Sequence, residues 1–92
     1  MVKLIKLVSG EEIMADVTQE VGTTLTIENA IRLTLSQKGV GMVPLSPFMK
    51  DSKLTLERVN IIYMAEADDE LVNAYKGQFG GIVTAPPGLT LG

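Results

Sequence analysis

The sequence predicts a mainly β domain, a small, five-stranded, strongly bent antiparallel barrel with one short C-terminal helix. Three observations carry that expectation. Apolar and polar residues alternate with period two over residues 24–36. Five apolar runs fall within the first 65 residues, separated by short polar stretches. Helical spacing appears once, late in the chain, after Ala67.

The first run, VKLIKLV, begins at Val2 and is rich in Val, Leu and Ile. Ser9-Gly10 separates it from a second run in which Ile13, Ala15 and Val17 alternate with Glu12, Asp16 and Thr18. The two form either a tight hairpin or one strand broken at a bulge. In the third run, TLTIENAIRLTLS, the odd positions Leu25, Ile27, Ile31, Leu33 and Leu35 are apolar, which predicts a long strand with one buried face. Only Asn29 and Ala30 interrupt the pattern, as a kink or bulge does. The fourth run, VGMVPLSPFM, contains Pro44 and Pro47. Proline lacks the N–H a ladder needs, so this is an edge strand or an interrupted one. The fifth is LTLERVNIIYM.

The segment DDELVNAYKGQF opens with acids that favour a helix N-terminus and spaces Leu71, Tyr75 and Phe79 four apart on one face. Gly80-Gly81 ends it, and Pro86-Pro87 with the surrounding glycines predicts an extended or disordered tail over 81–92. Residues 1–80 then make one domain. Five short strands with tight turns point to a barrel of the SH3 or OB kind, with an open sheet packed on the late helix as the alternative.

A 92-residue chain that is 46% hydrophobic and has no cysteine cannot staple a small core with disulfides or thiolate metal sites. Such a chain is expected to bury surface between subunits as a homo-oligomer, the alternative being a compact monomer. The net charge is −3, which argues against a generic DNA-coating protein. Of the 8 basic residues only Lys76 lies beyond residue 64. Of the 11 acids, Glu66, Asp68, Asp69 and Glu70 do, leaving seven of each sign in residues 1–64. The excess negative charge sits on the helix, which could dock a protein partner. Glu11 interrupts the N-terminal apolar run too early for a signal peptide, and no run approaches the ~20 apolar residues of a membrane span. The expectation is a cytoplasmic protein with no membrane partner.

Catalytic signals are poor. Histidine and cysteine are absent, which removes the commonest general base, the commonest zinc ligand and thiol nucleophiles. Neither Ser9, Ser36, Ser46 nor Ser52 has an imidazole to activate it. Glu11 and Glu12, adjacent on a strand, point to opposite faces and do not act as a pair. The Asp68–Glu70 run reads as a helix cap rather than a metal site, and GVG at 39–41 is too short for a phosphate loop. No cofactor is expected, and the protein reads as a non-enzyme.

The order of these runs resembles the Sm/LSm family. Gly10, Ile13, Ala15 and Val17, then Thr24, Leu25, Thr26 and Ile27, with Glu28 and Ala30, follow the family's first sequence block. The resemblance covers residues 2–65. It departs from the family where the RNA-gripping Asp and Asn fall at Glu20 and Thr24, where the small glycine is Ala15, and where the N-terminal helix is missing. These departures suit a divergent, phage-borne branch, with the bacterial Hfq type as the related form. The resemblance implies a homo-oligomeric ring, of open subunit number, that binds single-stranded RNA or DNA in RNA or DNA processing. A structural or protein-interaction ring is the alternative.

Two polar islands compete for the turn between the last two strands. If ERVN is the turn, Glu57 stands where the family has arginine and Arg58 where it has glycine, and VGMVPLSPFM becomes an extra, sixth strand. If KDSK is the turn, strand count stays at five, Glu57-Arg58 becomes a bulge, and Lys50 with Lys53 around a ring makes a basic collar for phosphates. Strand count favours KDSK. The candidate nucleic-acid-binding residues are therefore Lys50, Ser52 and Lys53, with Glu20, Thr24 and Arg58 carried over from the family positions. Phe48 and Tyr63 are candidate base-stacking aromatics, although aromatics in strands usually belong to the core.

Overall fold

The computed structural model describes residues 1–46 and 48–79. It contains β1 (Val2–Leu7), β2 (Glu12–Val21), β3 (Thr24–Ser36), β4 (Gly39–Pro44), β5 (Lys53–Glu57), β6 (Ile61–Ala65) and the helix α1 (Asp69–Phe79). All strand pairings are antiparallel. The order across the sheet is β4-β3-β2-β1-β6, with β5 also on β3. The domain expected over 1–80 is thus described as far as residue 79, and the tail over 81–92 lies outside the described residues.

Ser9-Gly10 makes a hairpin turn rather than a bulge. The Gly10 N–H donates to Leu7 O at 2.9 Å, and Gly10 sits at φ +99°, where a side chain is strained. β1 and β2 then pair from Lys6 opposite Glu12 to Val2 opposite Asp16. Gly22, at φ +57°, serves the tight β2–β3 connection in the same way.

The fourth and fifth runs depart most from expectation. β4 runs along β3 from Gly39 opposite Ser36 to Pro44 opposite Ile31. β5 continues along the same edge, from Lys53 opposite Glu28 to Glu57 opposite Thr24. The two are halves of one long edge strand, and residues 45–46 and 48–52 lie off the ladder between them. Two backbone hydrogen bonds close the mouth of this excursion, Leu45 N–H to Ala30 O at 3.2 Å and Asn29 N–H to Ser52 O at 3.0 Å. Pro44, at the last pair before the exit, has no N–H to donate to a continuing ladder.

The fifth run is not a bulged strand. At Arg58–Asn60 it makes a 3-10 turn, and β6 pairs with β1 at the other edge of the sheet. The chain thus passes from one edge to the other in four residue steps, at most about 14 Å of chain. The sheet must curl strongly for its edges to approach that closely. It nevertheless stays open, because β6 pairs with neither β4 nor β5. The expected five-stranded, strongly bent barrel is therefore corrected to an open, six-stranded sheet with the helix packed on it, as in the alternative. The last two strands meet at 58–60, and KDSK is not their hairpin tip.

The long β3 strand also differs in its burial. Across the ladder, Glu28 faces Asp16 and Ile31 faces Met14, so β3 holds one more residue than β2 between these pairs. The extra residue falls at Asn29–Ala30, with Asn29 at φ 55°. Its effect is to exchange the faces of the sheet. Leu25 and Ile27 pack with Ile5, Leu7, Ile13 and Ala15 on one side. Ile31 packs with Met14, Met42 and Tyr75 on the other. Period two survives as alternation, but not as one buried face, and Leu35 is 86% exposed.

The helix covers this second cluster with Leu71, Val72 and Tyr75. Asp68 caps it, its Oδ1 accepting from the Glu70 N–H at 3.2 Å, and Asp69 and Glu70 occupy the first turn, where the dipole favours acids. Tyr75 is buried, and its hydroxyl donates to Asn29 O at 2.8 Å. Among the described residues no helix is long and apolar enough to cross a membrane.

Candidate nucleic-acid interface

The candidate residues fall into two groups at opposite ends of β5. Five residue steps of about 3.3 Å separate Lys53 from Arg58, roughly 16 Å along the strand.

At one end, the β2–β3 turn meets the 3-10 turn. The Arg58 backbone N–H donates to Thr23 O at 2.8 Å, fixing the turn against the hairpin. The Arg58 guanidinium donates through Nη2 to Glu20 Oε1 at 2.8 Å and through Nε to Gly22 O at 3.3 Å. Thr24 Oγ1 donates to Val21 O at 3.0 Å. Glu20, Thr24 and Arg58 do come together, but their polar groups are spent on one another and on the hairpin backbone. An exposed ion pair of this kind contributes about 0–1 kcal/mol. Its chemical consequence is larger, because the cation already has a carboxylate where a phosphate would sit.

At the other end lies the excursion. Lys50, Ser52 and Lys53 are exposed, and among the described residues neither lysine makes an ion pair. Asp51 shapes the segment, its Oδ1 accepting from the Lys53 N–H at 3.0 Å in a local turn. Phe48 is 92% exposed, so it is not a core residue. Tyr63, on β6, is 43% exposed and likewise outside the core. Its hydroxyl donates to Glu12 Oε2 at 2.7 Å, and that bond to a carboxylate raises its pKa above the usual tyrosine value. Phe48 and Tyr63 lie on separate elements at different edges of the sheet.

Beneath the excursion is an open cleft of about 240 Å³, where Ser46, Lys50 and Ser52 face Asn29 and Ile31 of β3. Asn29 and Ser46 did not stand out as site residues in the sequence. The signal for Asn29 was its break in the alternation of β3, which by itself reads as a backbone irregularity. Only the approach of Ser46 and residues 49–52 to that irregularity gives it a cleft to line.

Tyr75, on α1, is tied to this region through its bond to the Asn29 carbonyl. Burial, with the Asp16 charge as a second cause, pushes its pKa up to about 12. It therefore stays a neutral donor to the Asn29 carbonyl over the whole neutral range. Among the described residues there is no group of three or more His, Cys, Asp or Glu placed to hold a metal ion. The described chemistry is that of cations, hydroxyls, an amide and an exposed ring. Comparison of the chain with protein-family models and with curated proteins finds no match.

Proposed function

We propose that this protein is a non-catalytic, Sm-like nucleic-acid-binding protein that assembles as a homo-oligomeric ring and holds single-stranded RNA or DNA. The observation that carries the reading is the excursion, which presents two cations, Lys50 and Lys53, that make no ion pair among the described residues, together with an exposed ring, Phe48. Cations without carboxylate partners attract phosphates and release their counterions, and a free aromatic face stacks on any base. The basic collar thus moves from a hairpin tip to an edge-strand excursion, with the same residues.

Assembly is supported by the two edges the sheet leaves open. Among the described residues β5 pairs only with β3 and β6 only with β1, and each is a five-residue strand. Open edges invite pairing with another chain. On and beside β6, Val59 and Ile62 are exposed apolar residues that such pairing would cover. A head-to-tail contact of β5 on β6 of the next subunit closes into a ring when the rotation per subunit closes.

The test is oligonucleotide binding at ~50 mM salt, where phosphate contacts are strongest, with the oligomeric mass measured in parallel. The expected result is a multimer that binds a short single strand, with affinity falling steeply as salt rises. A monomer with no salt-sensitive binding overturns the reading.

One observation favours a second reading, a ring that docks a protein partner. The Arg58 cation is already neutralised by Glu20, whereas Glu66, Asp68, Asp69 and Glu70 are exposed around the start of α1. A multimer without oligonucleotide binding selects this alternative.

A further inference from the structure

The cleft beneath the excursion is placed to do more than hold phosphate. Asn29, at its floor, is a non-glycine residue at φ 55°, a conformation asparagine tolerates at some cost. Its backbone is held from both directions. The N–H donates to Ser52 O at 3.0 Å, and the carbonyl accepts from the buried Tyr75 hydroxyl at 2.8 Å. Its side-chain amide, by contrast, makes no hydrogen bond to any described residue, nor does the Ser52 hydroxyl. The backbone is therefore fixed by three elements, β3, the excursion and α1, while the amide it carries is unspent.

The size of the space is also informative. Pockets for drug-sized ligands hold about 300–1,000 Å³, and this cleft of about 240 Å³ lies below that range. That is room for one planar ring. Its lining is mixed, with the apolar Ala30, Ile31 and Met49 beside Asn29, Ser46 and Ser52. Lys50 lies at the rim. Asp51 also lines the cleft and disfavours an anion within it, so a phosphate belongs outside, on the lysines, and a neutral group belongs inside.

We infer that the cleft receives one nucleobase of the bound strand, with the Asn29 amide pairing to a base edge that offers a donor and an acceptor side by side. An amide supplies one acceptor and two donors in a plane, the complement of such an edge. Lys50 and Lys53 hold the flanking phosphates, and Phe48 stacks a neighbouring base. This inference rests on the nucleic-acid-binding reading and adds base recognition to it.

The experiment compares five single strands of equal length: one homopolymer of each base and an abasic sugar–phosphate chain. The parent protein is expected to bind at least one homopolymer at least tenfold more tightly than the abasic chain. Asn29→Gly keeps the positive φ available and removes the amide. It is expected to bring that homopolymer down to the abasic level while leaving abasic binding unchanged. Asn29→Asp, which keeps the shape and loses the donor, is expected to lose the same preference while its added charge lowers binding of every strand, the abasic chain included, with circular dichroism and oligomeric mass as checks on folding. Equal binding of all five strands by the parent, or undiminished preference in Asn29→Gly, overturns base recognition and leaves phosphate binding standing. Absence of binding to every strand overturns the nucleic-acid reading itself, and this inference with it.

Discussion

The two ends of β5 carry similar residues and opposite chemistry. At one end Arg58 is bonded to Glu20 and to the Gly22 carbonyl, and it joins two turns. At the other, Lys50 and Lys53 make no ion pair among the described residues, although Glu28 stands opposite Lys53 across the ladder, and Asp51 between them is turned to the Lys53 backbone N–H. The difference shows that a cation's role depends on what the fold has already placed beside it. Arg58 acts as a tie between hairpin and turn, whereas the lysines are available to a ligand.

The sharpest way to break this comparison is to remove the free cations. Lys50→Ala/Lys53→Ala is expected to weaken single-strand binding at least tenfold at low salt. The slope of log K against log salt should fall by roughly 0.7 for each lost contact with a single strand. If titrations give the parent's affinity and slope, the excursion is not the phosphate site.

Phe48→Ala sharpens the same end. Loss of one stacked base costs about 1–3 kcal/mol of binding. Because Phe48 is 92% exposed, the melting temperature should not move. A fall in melting temperature without a change in affinity would assign Phe48 to packing, between subunits or within one.

Tyr75→Phe probes the support behind the excursion. It removes the hydroxyl bonded to Asn29 O, at a cost of about 1 kcal/mol in stability. The pH dependence has a definite sign. The folded pKa of about 12 lies above the ordinary tyrosine value of 10.0, so the fold favours the neutral phenol. That stability is fully present below pH 10 and is lost as pH rises through about 12. Unfolding measured across this window should steepen in the parent and flatten in Tyr75→Phe, with Tyr63→Phe as the control for the second raised tyrosine. Identical profiles for parent and Tyr75→Phe would remove this coupling.

The smallest expected effect is that of Arg58→Ala. Its ion pair with Glu20 is about half exposed and contributes at most about 1 kcal/mol. Strand binding should change by less than about twofold. A larger loss than in the double lysine variant reverses the comparison and returns the site to the turn where the Sm resemblance would put it.

Much of the fold was legible along the chain because alternation is a local signal. The runs at 2–8, 12–18 and 24–36 became β1, β2 and β3. Asp68 to Phe79 became a capped helix, and Pro44 marked an edge strand. The count of the last strands was not legible. VGMVP and KLTLE lie on the same edge of β3, and nothing local distinguishes a loop between two halves of one strand from a hairpin between two strands. Lys50, Ser52 and Lys53 could be named from their types, but their lack of carboxylate partners could not, because Glu20 chooses Arg58 across 38 residues of chain.

By itself, then, the sequence determined a mainly β chain with a late acidic helix, a break at Asn29–Ala30, and cations at 50 and 53. Only the tertiary structure decided that the break reverses the faces of the sheet. It also decided that Ser46 and residues 49–52 line a cleft at the break, and that Arg58, rather than Lys50 or Lys53, carries an ion pair. The physical reason is the range of the forces involved. Alternation and capping act over a few residues and are written in their order, whereas register, face exchange and charge pairing depend on which distant segments the curled sheet brings side by side.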